Sequence, residues 1–345
     1  MKIALFNTIS PFVSGGAEIL VGDLMKELKN RGFEAHVFRL PFPNDFFDPN
    51  VLFRTILSAN LIDFSEYDKV IAFKFPAFYA IHPNKVLWLF HQFRQVYDMY
   101  NLENGFKDDD IGKAVREIVY LNDCRQINNA RVVYAISESS KRLKQYNGIE
   151  SNVLMAPLKD WELYHYNSIG DYIYYPSRIS RLKRQDLAVE AMKYVKTPVK
   201  LILDGKCPDE AYDLEIRRII EKNHLENKVT YNNGWVEDDD KIKKYSDCLG
   251  ALYIAYQEDS CGFGTMESFY SSKPVISCTD SGGTYELIED KKTGLFVEPK
   301  AEALAKAMDE FYDNKKRTYE MGQAARQEII RRNINWDETI RKLMV

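Results

Sequence analysis

The stretch Gln257 to Ser268, Gln-Glu-Asp-Ser-Cys-Gly-Phe-Gly-Thr-Met-Glu-Ser, decides how the rest of the sequence is interpreted. It follows an apolar, β-favouring run from Leu249 to Ala255 and leads into a helix-like segment, Met266 to Ser271. This order predicts a strand, an acidic glycine-containing loop and a helix. Glycines let the backbone approach a ligand closely, and the first turn of a helix offers unpaired N–H groups to an anion. The stretch therefore predicts an anion-binding loop, the alternative being an acidic surface loop ahead of an ordinary helix.

Two carboxylates flank the glycines of this loop. Asp259 and Glu267 are eight positions apart, a spacing that allows them to hold hydroxyl groups on either side of a bound phosphate. Glu258 directly precedes Asp259, and adjacent side chains of an extended segment point to opposite faces. We therefore expect only one of these two acids to enter the site.

Outward from this loop, β-favouring runs alternate with helical or polar segments along the whole chain. This alternation predicts parallel sheets covered by helices on both faces. Residues 157–170 mix proline, aromatic and polar residues without periodicity, and we interpret them as a linker between two α/β domains. The strand-like runs are 3–7, 35–40, 70–73, 86–90, 131–137 and 153–156 before the linker, and 172–176, 199–203, 229–232 and 249–255 after it.

Glycines, a histidine and two cations follow predicted strands, at the sheet edge where α/β proteins bind ligands. Gly15 and Gly16 lie between the first strand and a predicted helix, where they serve a phosphate or only a tight turn. His91 follows the strand 86–90, and a lone histidine there is either functional or structural. Arg178 and Lys183 follow the strand 172–176 and suit a diphosphate, although Arg181 and Arg184 also allow a plain basic surface loop.

Composition excludes several classes of protein. The 345 residues suffice for two domains, and the net charge of −4 argues against a dedicated nucleic-acid binder. No apolar run approaches the roughly 20 residues that span a bilayer, so any membrane contact is expected to be peripheral. The five cysteines are widely spaced and fit a reducing cytoplasm. Two acidic runs, 108–110 and 237–240, resemble metal motifs, but we interpret them as solvated or helix-capping acids and predict no metal site.

Four of these features, in this order, resemble the retaining glycosyltransferases of family 4, also called glycosyl transferases group 1. The pair Asp259 and Glu267 is similar to the family's E-x7-E signature, with Asp in place of the first Glu. The other landmarks are Gly15-Gly16-Ala17-Glu18, His91, and Ser177-Arg178 with Lys183 five residues after the arginine. The resemblance covers most of the chain.

The resemblance implies the GT-B fold, in which two Rossmann-like domains face each other across a cleft and a C-terminal helix crosses back. On this basis we expect an N-terminal, acceptor-side domain over residues 1–160. A nucleotide-sugar-binding domain is expected over residues 161–325, and the returning helix over residues 326–345.

The resemblance also implies transfer of a hexose-like sugar from a UDP-sugar or GDP-mannose to an acceptor hydroxyl, in cell-surface glycan or glycolipid assembly. The donor is a substrate, and neither a cofactor nor a metal is implied. The expected catalytic residues are His91, Asp259, Arg178 and Lys183. The expected donor-binding residues are Gly15, Gly16, Gly262, Phe263, Gly264, Thr265 and Glu267.

The expected partners are the nucleotide sugar and a glycan or lipid-linked acceptor, with no nucleic acid. We expect a cytoplasmic protein, with any membrane contact at the inner face. The alternative function is a non-catalytic GT-B protein that binds a nucleotide sugar or serves as a partner subunit, which the Asp259 departure favours. Release of free nucleoside diphosphate distinguishes the two.

Overall fold

The computed structural model describes residues 1–10, 15–42 and 47–345. It divides into two compact units, the first comprising Met1–Pro157 with Ile334–Val345 and the second comprising Leu158–Asn333. Each unit is built on its own parallel sheet with helices packed around it. The predicted α/β class with two domains is therefore confirmed. Residues 11–14, between the first predicted strand and Gly15, lie outside the described residues.

The first unit contains a six-stranded sheet in the order β2-β1-β3-β4-β5-β6. All neighbouring strands pair in parallel. Its strands are β1 (Lys2–Ile9), β2 (Glu34–Pro41), β3 (Lys69–Lys74), β4 (Lys85–His91), β5 (Val132–Ala135) and β6 (Asn152–Val153).

Five α-helices accompany this sheet within the described ranges. Two of them begin at aspartate caps: the Asp48 carboxylate accepts from Asn50 N at 2.8 Å, and that of Asp109 accepts from Gly112 N at 2.8 Å. The first acidic run therefore starts a helix, as such residues do at N-caps. The helices are α1 (Gly16–Asn30), α2 (Pro49–Leu61), α3 (Asp110–Asn128), α4 (Ser137–Arg142) and, from the end of the chain, α11 (Trp336–Leu343).

The core of the first unit is rich in aromatic side chains. Phe75 follows β3 and Phe93 follows β4, and their buried rings stack with centroids 4.9 Å apart. Burial of a Phe side chain contributes about 1.5–3 kcal/mol. These two rings therefore anchor the segments that leave the carboxyl ends of β3 and β4, including the segment that follows His91.

The second unit contains another six-stranded parallel sheet, in the order β12-β11-β10-β7-β8-β9. Its strands are β7 (Tyr172–Pro176), β8 (Lys200–Gly205), β9 (Val229–Asn233), β10 (Gly250–Leu252), β11 (Val275–Cys278) and β12 (Gly294–Val297). Its helices within the described residues are α5 (Gln185–Ala191), α6 (Glu210–Lys222), α7 (Asp238–Asp247), α8 (Phe263–Tyr270), α9 (Ala301–Asp313) and α10 (Lys315–Arg331).

The second acidic run, 237–240, starts α7, with Glu237 at the cap and three aspartates in the first turn. The prediction that these acids suit the positive end of a helix is confirmed. In the part of the chain that the structure describes, no helix is both long and apolar enough to cross a membrane.

Each sheet has a point where the strand order reverses, which is where open α/β sheets bind ligands. In the first unit the reversal lies between β1 and β3, and in the second unit it lies between β7 and β10. The loops that leave these strands at their carboxyl ends are the structural candidates for a site.

Candidate functional site

The reversal point of the second unit joins the two most informative segments of the sequence. Strands β7 and β10 are neighbours, with Ile173 opposite Gly250 and Tyr174 opposite Ala251. Arg178 and the 3₁₀ turn Arg181–Lys183 follow β7, whereas the acidic loop follows β10 and leads into α8. Since both strands point the same way, their loops leave one edge of the sheet together. The predicted cations and the predicted anion-binding loop are therefore neighbours.

Lys183 contacts the acidic loop directly. Its Nζ donates to Glu258 Oε2 in a short ion pair and to the Tyr253 hydroxyl at 3.0 Å. The Tyr253 hydroxyl in turn donates to the same Glu258 oxygen at 3.2 Å. Burial, and after it the charge of Glu258, raises the pKa of Tyr253 well above its ordinary value. The Glu258 carboxylate therefore meets a cation that comes from the neighbouring loop, the loop after β7.

Two arginines near Lys183 in sequence, Arg184 and Arg178, differ in their contacts and exposure. Arg184 donates through both guanidinium ends to Asp280 at 2.8 Å, and its Nε donates to the carbonyl of Ile254 at 2.7 Å. Arg184 therefore fastens the loop after β7 to the loop after β11. Arg178 is exposed directly beyond the carboxyl end of β7.

Gly262 is the N-cap residue directly before α8, and its backbone has a conformation that only glycine adopts readily. Its φ is +77°, and a Cβ at this position would lie 2.1 Å from Cζ of the Tyr253 ring. Phe263 and Gly264 form the first turn of α8, whose N–H groups have no partner within the helix. Thr265 is fully buried, and its Oγ1 finds no hydrogen-bond partner within residues 1–10, 15–42 and 47–345. Such a hydroxyl is suited to a ligand oxygen.

Glu267 lies further along α8 in a buried polar network. Its Oε1 accepts from the Tyr164 hydroxyl at 3.0 Å and pairs with Lys241 Nζ at 2.9 Å. Burial lowers the pKa of Lys241, but Glu267 and then Asp238 outweigh burial and raise it. Burial, followed by the Glu267 charge, also raises the pKa of Tyr164. Glu267 is therefore held in one place by two donors from other elements.

The first unit has its own polar cluster at the carboxyl edge of its sheet. Glu18 accepts from the Gly15 amide at 3.0 Å and pairs with Lys74 Nζ at 2.6 Å, which fixes the turn that enters α1 at Gly16. Lys74 on β3 is the register partner of His91 on β4. The half-buried His91 ring has Nδ1 at 3.1 Å from the Gln92 carbonyl oxygen.

The predicted site residues divide between the two units. Gly15, Gly16 and His91 belong to the first unit, and the others belong to the loops around β7, β10 and α8 of the second unit. Asp259 lies in this second group and is partly buried.

Several residues of the site were missed by reasoning from the sequence. Glu258 and Tyr253 adjoin predicted features and were within reach of that reasoning. Nothing in the sequence around Tyr164, Lys241 or Lys74 marks them, because their roles depend on contacts between distant elements. Tyr164 even lies in the segment interpreted as a linker.

In the described part of the chain, no three His, Cys, Asp or Glu side chains are grouped closely enough to hold a metal ion.

Comparison with known sequences gives a family match within the second unit. Residues 167–328 match the family described as Glycosyl transferases group 1. The chain is 25% identical over 199 residues to O-antigen chain mannosyltransferase C of Escherichia coli, which covers 54% of this chain and 52% of that protein. The chain thus spans about half the length of this curated relative.

Solved structures match the fold over the whole chain. HepE from Anabaena, solved in complex with UDP, has a TM-score of 0.73 and 17% identity, and the match covers 100% of this chain and 98% of that chain. Sucrose-phosphate synthase from Thermosynechococcus elongatus has a TM-score of 0.76 and 17% identity, with coverage of 100% and 99%. At this level of identity the matches show the fold alone. The expected GT-B fold is confirmed.

Proposed function

We propose that this protein, whose residues 167–328 match the Glycosyl transferases group 1 family, is a retaining glycosyltransferase. It moves a hexose-like sugar from a nucleotide diphosphate sugar to a hydroxyl of a glycan or lipid-linked acceptor. The observation that carries this proposal is the contact of Lys183 with Glu258 in the loop that leads into α8, at the reversal point of the second sheet. Cations and helix N-termini are both suited to a diphosphate.

The proposed roles follow the resemblance described above. Arg178 and Lys183 bind the diphosphate together with the first turn of α8, from Gly262 to Thr265. Glu267, held by Tyr164 and Lys241, binds the ribose. By the resemblance, Gly15 and Gly16 are proposed for the donor phosphates, and His91 and Asp259 for the sugar.

The chemistry requires stabilisation of a leaving group. When the bond between the anomeric carbon and the β-phosphate oxygen breaks, its electron pair stays on the nucleoside diphosphate, which gains negative charge. The acceptor oxygen bonds to the anomeric carbon, and its proton passes to the departing phosphate oxygen. Fixed cations at the diphosphate stabilise the charge that develops there. Lys183 is the cation proposed for this role, because it contacts the segment that leads from β10 into α8.

The relatives suggest which donors to test. HepE binds UDP in its solved structure, and the Escherichia coli relative is a mannosyltransferase. UDP-glucose and GDP-mannose are therefore the first two donors, and UDP and GDP are the first two products. Release of free nucleoside diphosphate, measured with and without candidate acceptors, tests the transfer. Binding of a nucleotide sugar without any release, with every acceptor offered, would favour the non-catalytic alternative.

Binding at the proposed diphosphate site is tested by Lys183→Ala. Loss of one charge-assisted hydrogen bond should weaken affinity for UDP or GDP by roughly ten-fold or more, measured by titration calorimetry. Lys200→Ala is the matched control, because Lys200 begins β8 at the opposite edge of the same sheet and pairs with Asp171 at 3.6 Å. Unchanged affinity in Lys183→Ala would remove this lysine from the site.

A further inference from the structure

Glu258 forms an ion pair with Lys183, the cation proposed to bind the diphosphate. This contact suggests a role in product release. We propose that the Glu258 carboxylate competes with the diphosphate for Lys183, and so weakens the binding of the nucleoside diphosphate product and speeds its departure. This inference rests on the proposed function and adds a specific residue to it. Neither the family match nor the signature residues point to Glu258.

The competing contact is well defined. Glu258 Oε2 accepts from both Lys183 Nζ and the Tyr253 hydroxyl, the latter at 3.2 Å. The Lys183 and Glu258 side chains are 16% and 29% exposed, so solvent screens the pair only in part. The Lys183 ammonium also lies 4.9 Å from the centroid of the Tyr253 ring. The lysine is thus already neutralised by an internal carboxylate.

The backbone holds Glu258 in this position. The Gly283 amide donates to the Glu258 carbonyl at 2.7 Å, and the Gln257 amide donates to the Asp280 carbonyl at 2.9 Å. Gly282, with φ +63°, lies so close that a Cβ there would be 2.3 Å from the Glu258 carbonyl oxygen. Asp280 is itself fixed by Arg184. The Glu258 carboxylate therefore faces Lys183 from a loop whose backbone is held by hydrogen bonds to the loop after β11.

The electrostatic consequence follows from the charges. A diphosphate that binds Lys183 must share it with the carboxylate or displace the carboxylate from it, and it also meets the negative charge of Glu258. Both effects weaken binding more for the ligand that carries the larger negative charge. Transfer of the sugar leaves additional negative charge on the nucleoside diphosphate. The product therefore experiences this repulsion more strongly than the donor does, which favours turnover.

Glu258→Gln tests this proposal, since it removes the charge and retains the shape and the acceptor oxygen. We expect the variant to bind UDP or GDP about ten-fold more tightly in titration calorimetry, the equivalent of about 1.4 kcal/mol. Inhibition of the transfer reaction by the same nucleotide should strengthen by a similar factor. If Glu258 had only a structural role, its substitution would damage the fold and weaken nucleotide binding. Such damage therefore cannot produce a gain in affinity.

Two comparisons make the result specific. Glu215→Gln removes one charge from an exposed pair with Arg181, 2.8 Å apart, and should leave nucleotide affinity unchanged. In the Lys183→Ala background, Glu258→Gln should give a smaller gain, because only the direct repulsion remains to be removed.

The outcomes separate this inference from the function on which it rests. Equal or weaker nucleotide binding by Glu258→Gln would overturn it, since the acid would then position Lys183 rather than compete for it. An equal gain in both backgrounds would also overturn competition through Lys183. If the unaltered protein binds neither UDP nor GDP, the proposed function itself fails.

Discussion

Asp259 is the residue at which this chain departs from the signature it resembles. It is one methylene shorter than the Glu found there, so contact with a donor sugar requires a closer approach of the loop or a bridging water. The structure places its neighbour Glu258 on Lys183, which leaves Asp259 as the acid proposed for the sugar.

We expect Asp259→Ala to reduce turnover by on the order of a hundred-fold, about 2.7 kcal/mol of transition-state stabilisation. The rate of nucleoside diphosphate release at saturating donor measures this loss. Asp171→Ala is the control, because Asp171 precedes β7 at the opposite edge of the sheet and is half exposed. Normal turnover by Asp259→Ala would show that the eight-residue spacing to Glu267 misidentifies the acid.

At the scale of the element, the start of α8 depends on one glycine. Gly262→Ala introduces a Cβ 2.1 Å from the Tyr253 ring at a φ of +77°, so both the turn and the ring must shift. Strain of this kind costs about 1–3 kcal/mol from the backbone alone. We expect a lower urea midpoint together with loss of UDP or GDP affinity, because Tyr253 also contacts Lys183.

Gly22→Ala is the control that distinguishes backbone strain at Gly262 from the effect of adding a methyl group. At Gly22, inside α1, a Cβ would meet nothing within 4 Å. Gly22→Ala should therefore keep or increase stability, as expected for alanine inside a helix. If both variants behave alike, the special geometry of Gly262 does not matter to the fold.

At the scale of the whole molecule, one buried acid links stability to pH. Asp123 on α3 accepts from the hydroxyls of Tyr79 at 2.6 Å and Tyr97 at 2.7 Å, and burial raises its pKa to about 7. Between these two pKa values the native state therefore holds a proton that the unfolded state, with the ordinary aspartate pKa of 3.8, has released. Stability from this group is complete below the unfolded pKa and is lost as pH rises through about 7.

We therefore expect the unfolding free energy to fall between pH 5 and pH 8, with a slope of at most about 1.4 kcal/mol per pH unit from this group. Urea unfolding at several pH values measures the slope, and Asp123→Asn should flatten it. Asp63→Asn should not, because a hydrogen bond from the Ser65 backbone lowers the pKa of Asp63, which places its titration below this window. An unchanged slope in Asp123→Asn would show that this acid is ionised in the native state throughout.

Much of the fold was predictable from local patterns. The strand predicted over 172–176 is β7 as the structure has it, because an apolar run bounded by polar residues carries its own signal. The helix predicted from Met266 instead begins at Phe263, three residues earlier and directly after Gly262, whose φ is positive. Helix α3 was not predicted, because charged residues are spread through its sequence and obscure the apolar face.

The sequence by itself determined the class of the fold and the position of the glycine loop, because strand and helix periods and glycine content are local properties. Only the tertiary structure decided which charges meet. Glu258 and Lys183 are 75 positions apart, and Tyr164 and Glu267 are 103 positions apart. Such pairs form because parallel strands that are distant in sequence become neighbours and release their loops at one edge. No local pattern of residues contains that information.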